Sequence, residues 1–161
     1  ALYKHYASKE AIWNALLHRM EAYYTERFGS PEKLPPTPKT WQEFSTMVME
    51  MLDFTMHDPK IILTRRLLLT EQFRDERARH FATLHFLTGT HEMYAEIFTQ
   101  MMEQGLMKRD DPAMVAFAFT TPITALVHQC DREPEREQEI LAQLEAFLRY
   151  FIQLYGIEDP S

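Results

Sequence analysis

The feature that most constrains the fold is an apolar repeat near the end of the sequence. From Ile140 to Tyr155, apolar side chains recur at positions i, i+4, i+7, i+8, i+11, i+12 and i+15. This spacing follows the period of an α-helix and gives the helix one continuous apolar face. A half-buried β-strand would instead alternate at every second residue, and no such run is present in the sequence. The repeat therefore predicts a long amphipathic helix that buries one face.

Helix start signals divide the rest of the sequence. Ser, Thr and Asp side chains accept hydrogen bonds from the free N–H groups at a helix start, and proline is tolerated at the first position. Such starts occur at Ser8, at the capping box of Thr40 and Glu43, at Asp58-Pro59 and at Asp111-Pro112. Four prolines between residues 29 and 39 mark a connector that no helix can cross.

These signals predict an all-α fold. The expected helices are 8–28, 40–57, 58–69, 75–104, 111–129 and a sixth that carries the apolar repeat. Only 4 of the 161 residues are glycine, and good helix formers such as Ala, Leu, Met and Glu dominate. Because 45% of the residues are hydrophobic, the chain is expected to bury one sizeable core.

Composition narrows the class of protein further. A formal net charge of -7 argues against a nucleic-acid-binding surface on these residues alone. No stretch of about 18 apolar residues predicts a membrane span, and the first residues lack the layout of a secretory signal. The single cysteine, Cys130, has no intramolecular disulfide partner, which suits a reducing compartment. We therefore expect a cytoplasmic protein that does not bind membranes.

The motifs of common catalytic and metal sites do not occur in the sequence. No Glu stands three residues before any of the 7 histidines, as a di-metal helical bundle would need, and there is no H-E-x-x-H pair for zinc. G-x-S-x-G, P-loop and dinucleotide-binding motifs do not occur either. The prediction is a protein that is not an enzyme and uses no metal or other cofactor.

Two short segments resemble parts of a known family. Residues 2–12, Leu-Tyr-Lys-His-Tyr-Ala-Ser-Lys-Glu-Ala-Ile, resemble the end of the helix-turn-helix and the start of the fourth helix in TetR-family transcriptional regulators. Tyr6 and Ile12 stand where Phe and Leu are commoner in that family. Residues 105–112, Gly-Leu-Met-Lys-Arg-Asp-Asp-Pro, resemble the turn between the family's helices seven and eight. The resemblance implies a TetR-like C-terminal regulatory domain, with the six predicted helices as the family's helices four to nine.

The resemblance also implies a DNA-binding role for the first residues. Residues 1–8 would be the tail end of the helix-turn-helix DNA-binding domain, and residues 9–161 the ligand-binding and dimerisation domain. Phosphate contacts position such a protein on DNA, whereas base contacts give it specificity. The base-reading residues would lie in about three further helices upstream, so this segment alone is not expected to bind an operator. The expected DNA-backbone contacts are Tyr3, Lys4, His5 and Lys9.

In the family, helices eight and nine pair with those of a second copy to form a four-helix bundle. The apolar repeat lies on the corresponding last helix and is rich in large aromatic side chains, which suit the centre of an interface. A homodimer is therefore expected. Its predicted interface residues are Ile140, Leu144, Phe147, Leu148, Phe151 and Tyr155.

A small-molecule site is expected among the family's helices four, five, seven and eight. Flexible methionines suit pockets for varied apolar ligands, and a few histidine or threonine groups would supply the polar contacts. A kink at Pro122 is expected to help open the cavity. The predicted lining is Trp13, Met47, Met51, Phe54, His85, Thr88, His91 and Phe119.

Two charged segments are interpreted as surface. Arg65 and Arg66 are expected on a solvated face of a short helix. The acidic residues from Asp131 to Glu139 are expected at a solvated helix start, where the helix dipole favours negative charge.

The functional prediction is a ligand-responsive transcriptional regulator, most often a repressor in this family. It would bind operator DNA as a homodimer and be released by a small apolar or aromatic effector. The alternative is a helical interaction or scaffold module that dimerises without a small ligand. Ligand-induced stabilisation separates the two, because a scaffold would show none.

Overall fold

The computed structural model describes residues 7–30 and 32–157, which form six helices. In chain order these are α1 (Lys9–Phe28), α2 (Trp41–His57), α3 (Pro59–Glu71), α4 (residues 76–103), α5 (Pro112–Arg132) and α6 (Glu137–Tyr155). A short 3-10 turn, Pro134–Arg136, precedes α6. No β-strand occurs within these described ranges. The prediction of an all-α fold is confirmed.

The predicted helix starts are confirmed by their capping bonds. The Ser8 hydroxyl accepts from the backbone N–H of Ala11, and the Thr40 hydroxyl from that of Glu43, both at 3.1 Å. Asp58 caps α3 ahead of Pro59. Asp111 likewise caps α5 ahead of a proline. Local side-chain chemistry therefore sets where these helices begin.

Helix α4 contains a turn that the sequence analysis did not foresee. It runs as α-helix over Glu76–Thr83, as π-helix over Leu84–Thr88, and again as α-helix over Gly89–Glu103. The backbone N–H of Gly89 donates to the Leu84 carbonyl, five residues back. A Cβ at Gly89 would lie 2.7 Å from that carbonyl oxygen, so the turn requires glycine. Such π turns insert one residue into a helix and change which side chains face inward.

Four phenylalanine rings form the centre of the core. Phe44, Phe98, Phe119 and Phe151 come from α2, α4, α5 and α6 respectively, and all four are buried. Every pair among them is in contact, with ring centroids between 4.5 and 6.2 Å apart. We call this set the phenylalanine cluster. Because each ring comes from a different helix, the cluster fixes the relative positions of all four.

The prediction of a dimer interface on the apolar repeat of α6 is corrected by this packing. Four of its residues are buried in the chain's own core and cannot meet a partner: Ile140, Leu144, Leu148 and Phe151. Phe147 stacks on Phe119 at 5.9 Å and Tyr155 packs on Phe151 at 4.9 Å, so both are only partly exposed. A plain amphipathic pattern does not distinguish a helix that faces its own core from one that faces a second chain.

A second, smaller cluster joins α1 to α3 and to the start of α4. It consists of Trp13, Leu17, Met20, Leu68 and Ala78. The Arg77 guanidinium adds a bond to the backbone carbonyl of Glu10 at 3.1 Å. The N-terminal half of α1 is therefore held by α3 and by the first turns of α4, in a cluster separate from the phenylalanine cluster.

The interpretation of Arg65 as a solvated residue is wrong. Its side chain is 5% exposed and forms two hydrogen bonds, of 2.5 and 2.8 Å, to the carboxylate of Asp131, which is 11% exposed. A third bond, of 2.7 Å, reaches the backbone carbonyl of Thr55. One guanidinium on α3 therefore ties together the ends of α2 and α5. Arg66 is exposed, as predicted.

Helix α5 is apolar on its exposed side as well as its buried side. Residues 112–130 contain no Asp, Glu, Lys or Arg, yet only 28% of an 18-residue window of this helix is buried. Met114 and Phe117 are 64% and 50% exposed. By length and composition alone α5 would be able to cross a membrane. On α6, Tyr150 and Leu154 are also exposed.

We expect Asp131→Ala to destabilise the fold by about 3–5 kcal/mol, because it leaves the Arg65 guanidinium buried without its counter-charge. Urea unfolding followed by circular dichroism measures the change. The matched control is Arg66→Ala, which removes a neighbouring exposed charge and should change stability by less than about 0.5 kcal/mol. Equal effects of the two substitutions would contradict the structural role of the ion pair.

Candidate ligand cavity

A cavity of about 490 Å³ lies among the first five helices. Its wall includes Met20 and Tyr24 from α1, Leu52 from α2, Leu68 from α3, and Val127 from α5, with the π turn of α4 completing the lining. Cavities of this size and mainly apolar lining are typical of small-molecule sites. The arrangement is suited to enclosing a compact apolar ligand.

Aromatic and thioether groups form much of the wall. Tyr24, Phe28, Phe86 and Tyr94 all border the cavity. The Tyr94 hydroxyl donates to the Met51 sulfur at 3.5 Å, and burial raises the pKa of this phenol well above its usual range. Burial also raises the pKa of Tyr24 to about 12. Both phenols are therefore neutral at physiological pH.

Two imidazole groups face the cavity from different helices. His85 lies in the π turn and His128 near the end of α5. The Nε2 atoms of both are buried and have no hydrogen-bond partner among the described residues. Burial lowers the pKa of His85 to about 4, and burial together with the nearby Arg65 guanidinium lowers the pKa of His128. Both rings are therefore neutral near pH 7.

Aromatic neighbours hold both imidazoles in place. The His85 ring stacks on Phe81 at 5.8 Å and lies 6.0 Å from the ring of Tyr24. The His128 ring meets Phe86 edge to face at 4.9 Å. The two histidines therefore supply imidazole groups held in place within a mainly apolar wall.

The described residues that line the cavity offer no free positive charge. Arg65 reaches its wall, but each end of its guanidinium is already bonded to Asp131 or to the Thr55 carbonyl. The other charged lining residues are Glu21, Glu32 and Glu92, and the last two are exposed. An anionic ligand would find carboxylates at the edge of the cavity and no counter-ion inside it.

Of the eight side chains predicted to line a pocket, the structure brings Met51 and His85 to this cavity. Trp13 lies instead in the smaller cluster of α1, and Phe119 belongs to the phenylalanine cluster. Phe54 packs edge-on against Phe28 at 4.8 Å. Met47 faces a separate groove beside the proline-rich connector.

The π turn explains why Thr88 and His91 do not line the cavity. Thr88 is exposed, and the His91 ring packs on Phe117 at 5.1 Å. The extra residue in the turn shifts the helix register, so Gly89, Thr90 and Met93 follow His85 on the cavity side. A regular helical period also places Gly89 and Met93, at i+4 and i+8, on the side of His85, but it does not place Thr90 there.

Sequence reasoning missed several residues that line the cavity. His128 and Arg65 are the most consequential, and Tyr24 and Phe86 provide much of the aromatic wall. Isolated polar residues inside apolar helices are the available signal, and His128, near the end of the uncharged run of α5, is such a residue. The partner that buries each one, however, is far away in the sequence.

The predicted DNA contacts are largely outside the described part of the chain. Tyr3, Lys4 and His5 lie in residues 1–6, which the structure does not describe. Lys9 is the first residue of α1 and is exposed, a position that allows it to reach a phosphate. Its DNA contact stays a prediction. Among the described residues, no group of three His, Cys, Asp or Glu side chains is placed to hold a metal ion.

No family model, curated protein or solved structure matches the chain. The function of the chain is therefore inferred from the geometry of the cavity and of the exposed faces.

We expect His85→Phe to flatten the dependence of stability on pH between 6.5 and 4. The pKa of His85 is lower in the folded state than its ordinary 6.5, so the unfolded chain binds the proton first as pH falls. The wild type should lose up to about 3 kcal/mol over this window through this residue. Urea unfolding of both proteins at several pH values measures the difference.

The difference between the wild type and His85→Phe isolates the contribution of His85 to the pH dependence of stability. The pKa of His57 shifts in the opposite direction, because hydrogen bonds to Asp53 and Glu137 raise it. That contribution is common to both proteins and cancels in the comparison. Parallel pH profiles for wild type and variant would contradict a buried neutral His85.

Proposed function

We propose that this chain is the effector-sensing and dimer-forming part of a TetR-type transcriptional regulator. The observation that carries the proposal is the cavity, because one of its walls is the C-terminal half of α1. The N-terminal end of the same helix follows directly on residues 2–8, whose sequence resembles the end of a helix-turn-helix. A ligand in the cavity would therefore contact the helix that leads to the DNA-binding segment.

Helix α1 is suited to couple the two sites in this proposal. Met20 and Tyr24 border the cavity, whereas Trp13 and Leu17, nearer the N-terminus, pack on α3 and α4. The Tyr23 hydroxyl donates to the Asp58 carboxylate at 2.5 Å, which links α1 to the junction of α2 and α3. A ligand shifts DNA binding only if it binds one position of α1 more tightly than another.

The second element of the proposal is dimerisation. The faces that would pair are the exposed sides of α5 and α6, not the apolar repeat of α6 that the sequence predicts. The exposed apolar side of α5 includes Met114 and Phe117, and that of α6 includes Tyr150 and Leu154. Exposed apolar faces on two consecutive helices favour association with a second copy. Two copies would place two DNA-reading heads side by side, as a palindromic operator requires.

A helical scaffold that dimerises without a ligand is the second candidate function. The exposed faces of α5 and α6 support it as well as they support a regulator. The cavity favours the regulator, because a scaffold has no need to keep two buried imidazole nitrogens unpaired.

A selection experiment tests the regulator directly. We expect the full-length protein to enrich an inverted repeat from a pool of randomised duplex DNA, with half-sites about one helical turn apart. Sequencing of the bound pool gives the result. Binding without sequence enrichment would favour the scaffold.

We expect Phe117→Glu and Tyr150→Glu each to weaken the dimer by at least about 30-fold, since each buries a charge where the proposal places an aromatic contact. Sedimentation equilibrium measures the dissociation constant. Arg149→Glu, at the neighbouring exposed position of α6, is the matched control and should leave the dimer intact. A dimer unaffected by either aromatic substitution would rule out these faces.

A further inference from the structure

We propose that the cavity selects uncharged aromatic compounds that carry a hydroxyl group, and that His85 and His128 are the residues that recognise them. The inference rests on the proposed function, since it names the class of effector that the cavity would take. Its basis is that two histidines, each with an unpartnered imidazole nitrogen, line one mainly apolar cavity whose described lining residues include no free cation.

Unpaired polar atoms are costly inside a protein. Nearly all buried polar side-chain atoms in folded proteins have a hydrogen-bond partner, and each exception calls for an explanation. Here two such atoms, the Nε2 atoms of His85 and His128, belong to side chains that line the same cavity. Packing alone does not require a nitrogen atom at these two positions, because a phenyl ring of similar size would fill either one. A ligand that bonds to them would supply the missing partner.

The protonation of the rings determines what they can bind. A neutral imidazole offers one N–H donor and one unprotonated acceptor. Burial lowers the pKa of both histidines, so neither supplies a positive charge near pH 7. A hydroxyl group can donate to one ring or accept from the other, whereas a carboxylate can only accept. The aromatic neighbours Phe81 and Phe86 fix the two rings for such bonds.

The charges around the cavity exclude anions and do not require a cation. The charge of Arg65 is already paired with Asp131 and its guanidinium also donates to the Thr55 carbonyl, so it offers no uncompensated charge to a carboxylate on the ligand. Glu32 and Glu92 are exposed at the edge and would repel one. The phenyl and phenol rings of Tyr24, Phe28 and Tyr94 provide the surface against which an aromatic ligand can stack.

Three probes of equal ring size test the selectivity: 1-naphthol, 1-naphthoate and 1-(aminomethyl)naphthalene, which are neutral, anionic and cationic at pH 7. Isothermal titration calorimetry on the full-length protein gives each dissociation constant. We expect 1-naphthol to bind at least about 10-fold more tightly than either charged probe, because removing a charged group from water costs more free energy than removing a hydroxyl group. Equal or tighter binding of 1-naphthoate or the amine would overturn the inference.

Histidine variants test the assignment of the binding residues. His85→Phe and His128→Phe should each weaken 1-naphthol binding by about 10-fold while the unliganded protein keeps or raises its melting temperature, because a buried unpaired nitrogen is removed. His18→Gln, on the exposed side of α1, is the control and should change neither quantity. Unchanged 1-naphthol affinity in both Phe variants, with folding intact, would overturn the role of the histidines.

The outcomes also separate this inference from the proposed function. If no probe binds or stabilises the protein, both fail, and the scaffold is favoured. If probes bind but the naphthoate is preferred or the histidine variants have no effect, the ligand-sensing function survives and only the stated selectivity fails.

Discussion

The fold depends on the mutual contact of four phenylalanine rings. Phe44, Phe98, Phe119 and Phe151 come from four different helices, and no pair of centroids is more than 6.2 Å apart. The cavity lies beside three of these helices, α2, α4 and α5, with α1 and α3 closing the space.

The ion pair of Arg65 and Asp131 connects three of the helices that surround the cavity. Its two hydrogen bonds join α3 to the end of α5, and the third bond of Arg65 holds the end of α2. A buried pair of this kind is rarely a large net source of stability, but it permits only one geometry. The same pairing removes the only arginine of the cavity wall from contact with a ligand. The same ion pair therefore joins the helices and leaves no uncompensated arginine charge in the cavity wall.

The sequence was sufficient to predict helix number, helix starts and the all-α fold, because capping and periodicity are local properties. The positions of Ser8, Thr40, Asp58 and Asp111 are examples. Residues of the candidate site were harder to predict, because burial depends on distant partners. Arg65 is sixty-six residues away from Asp131, and no local sequence pattern predicts that the two residues pair. The sequence predicts the apolar face of α6, but this face packs on the core of the same chain and not on a second copy.

The π turn in α4 links the fold to the candidate site. It needs Gly89, because a Cβ there would lie 2.7 Å from the Leu84 carbonyl. A regular helix would have been easier to form, and π turns persist mainly where a function requires the shifted register. Here the shift brings His85 and Phe86 to the cavity together with Thr90 and Met93. Thus the irregular backbone and the unpaired imidazole nitrogen occur in the same turn, and the proposed ligand recognition would account for both.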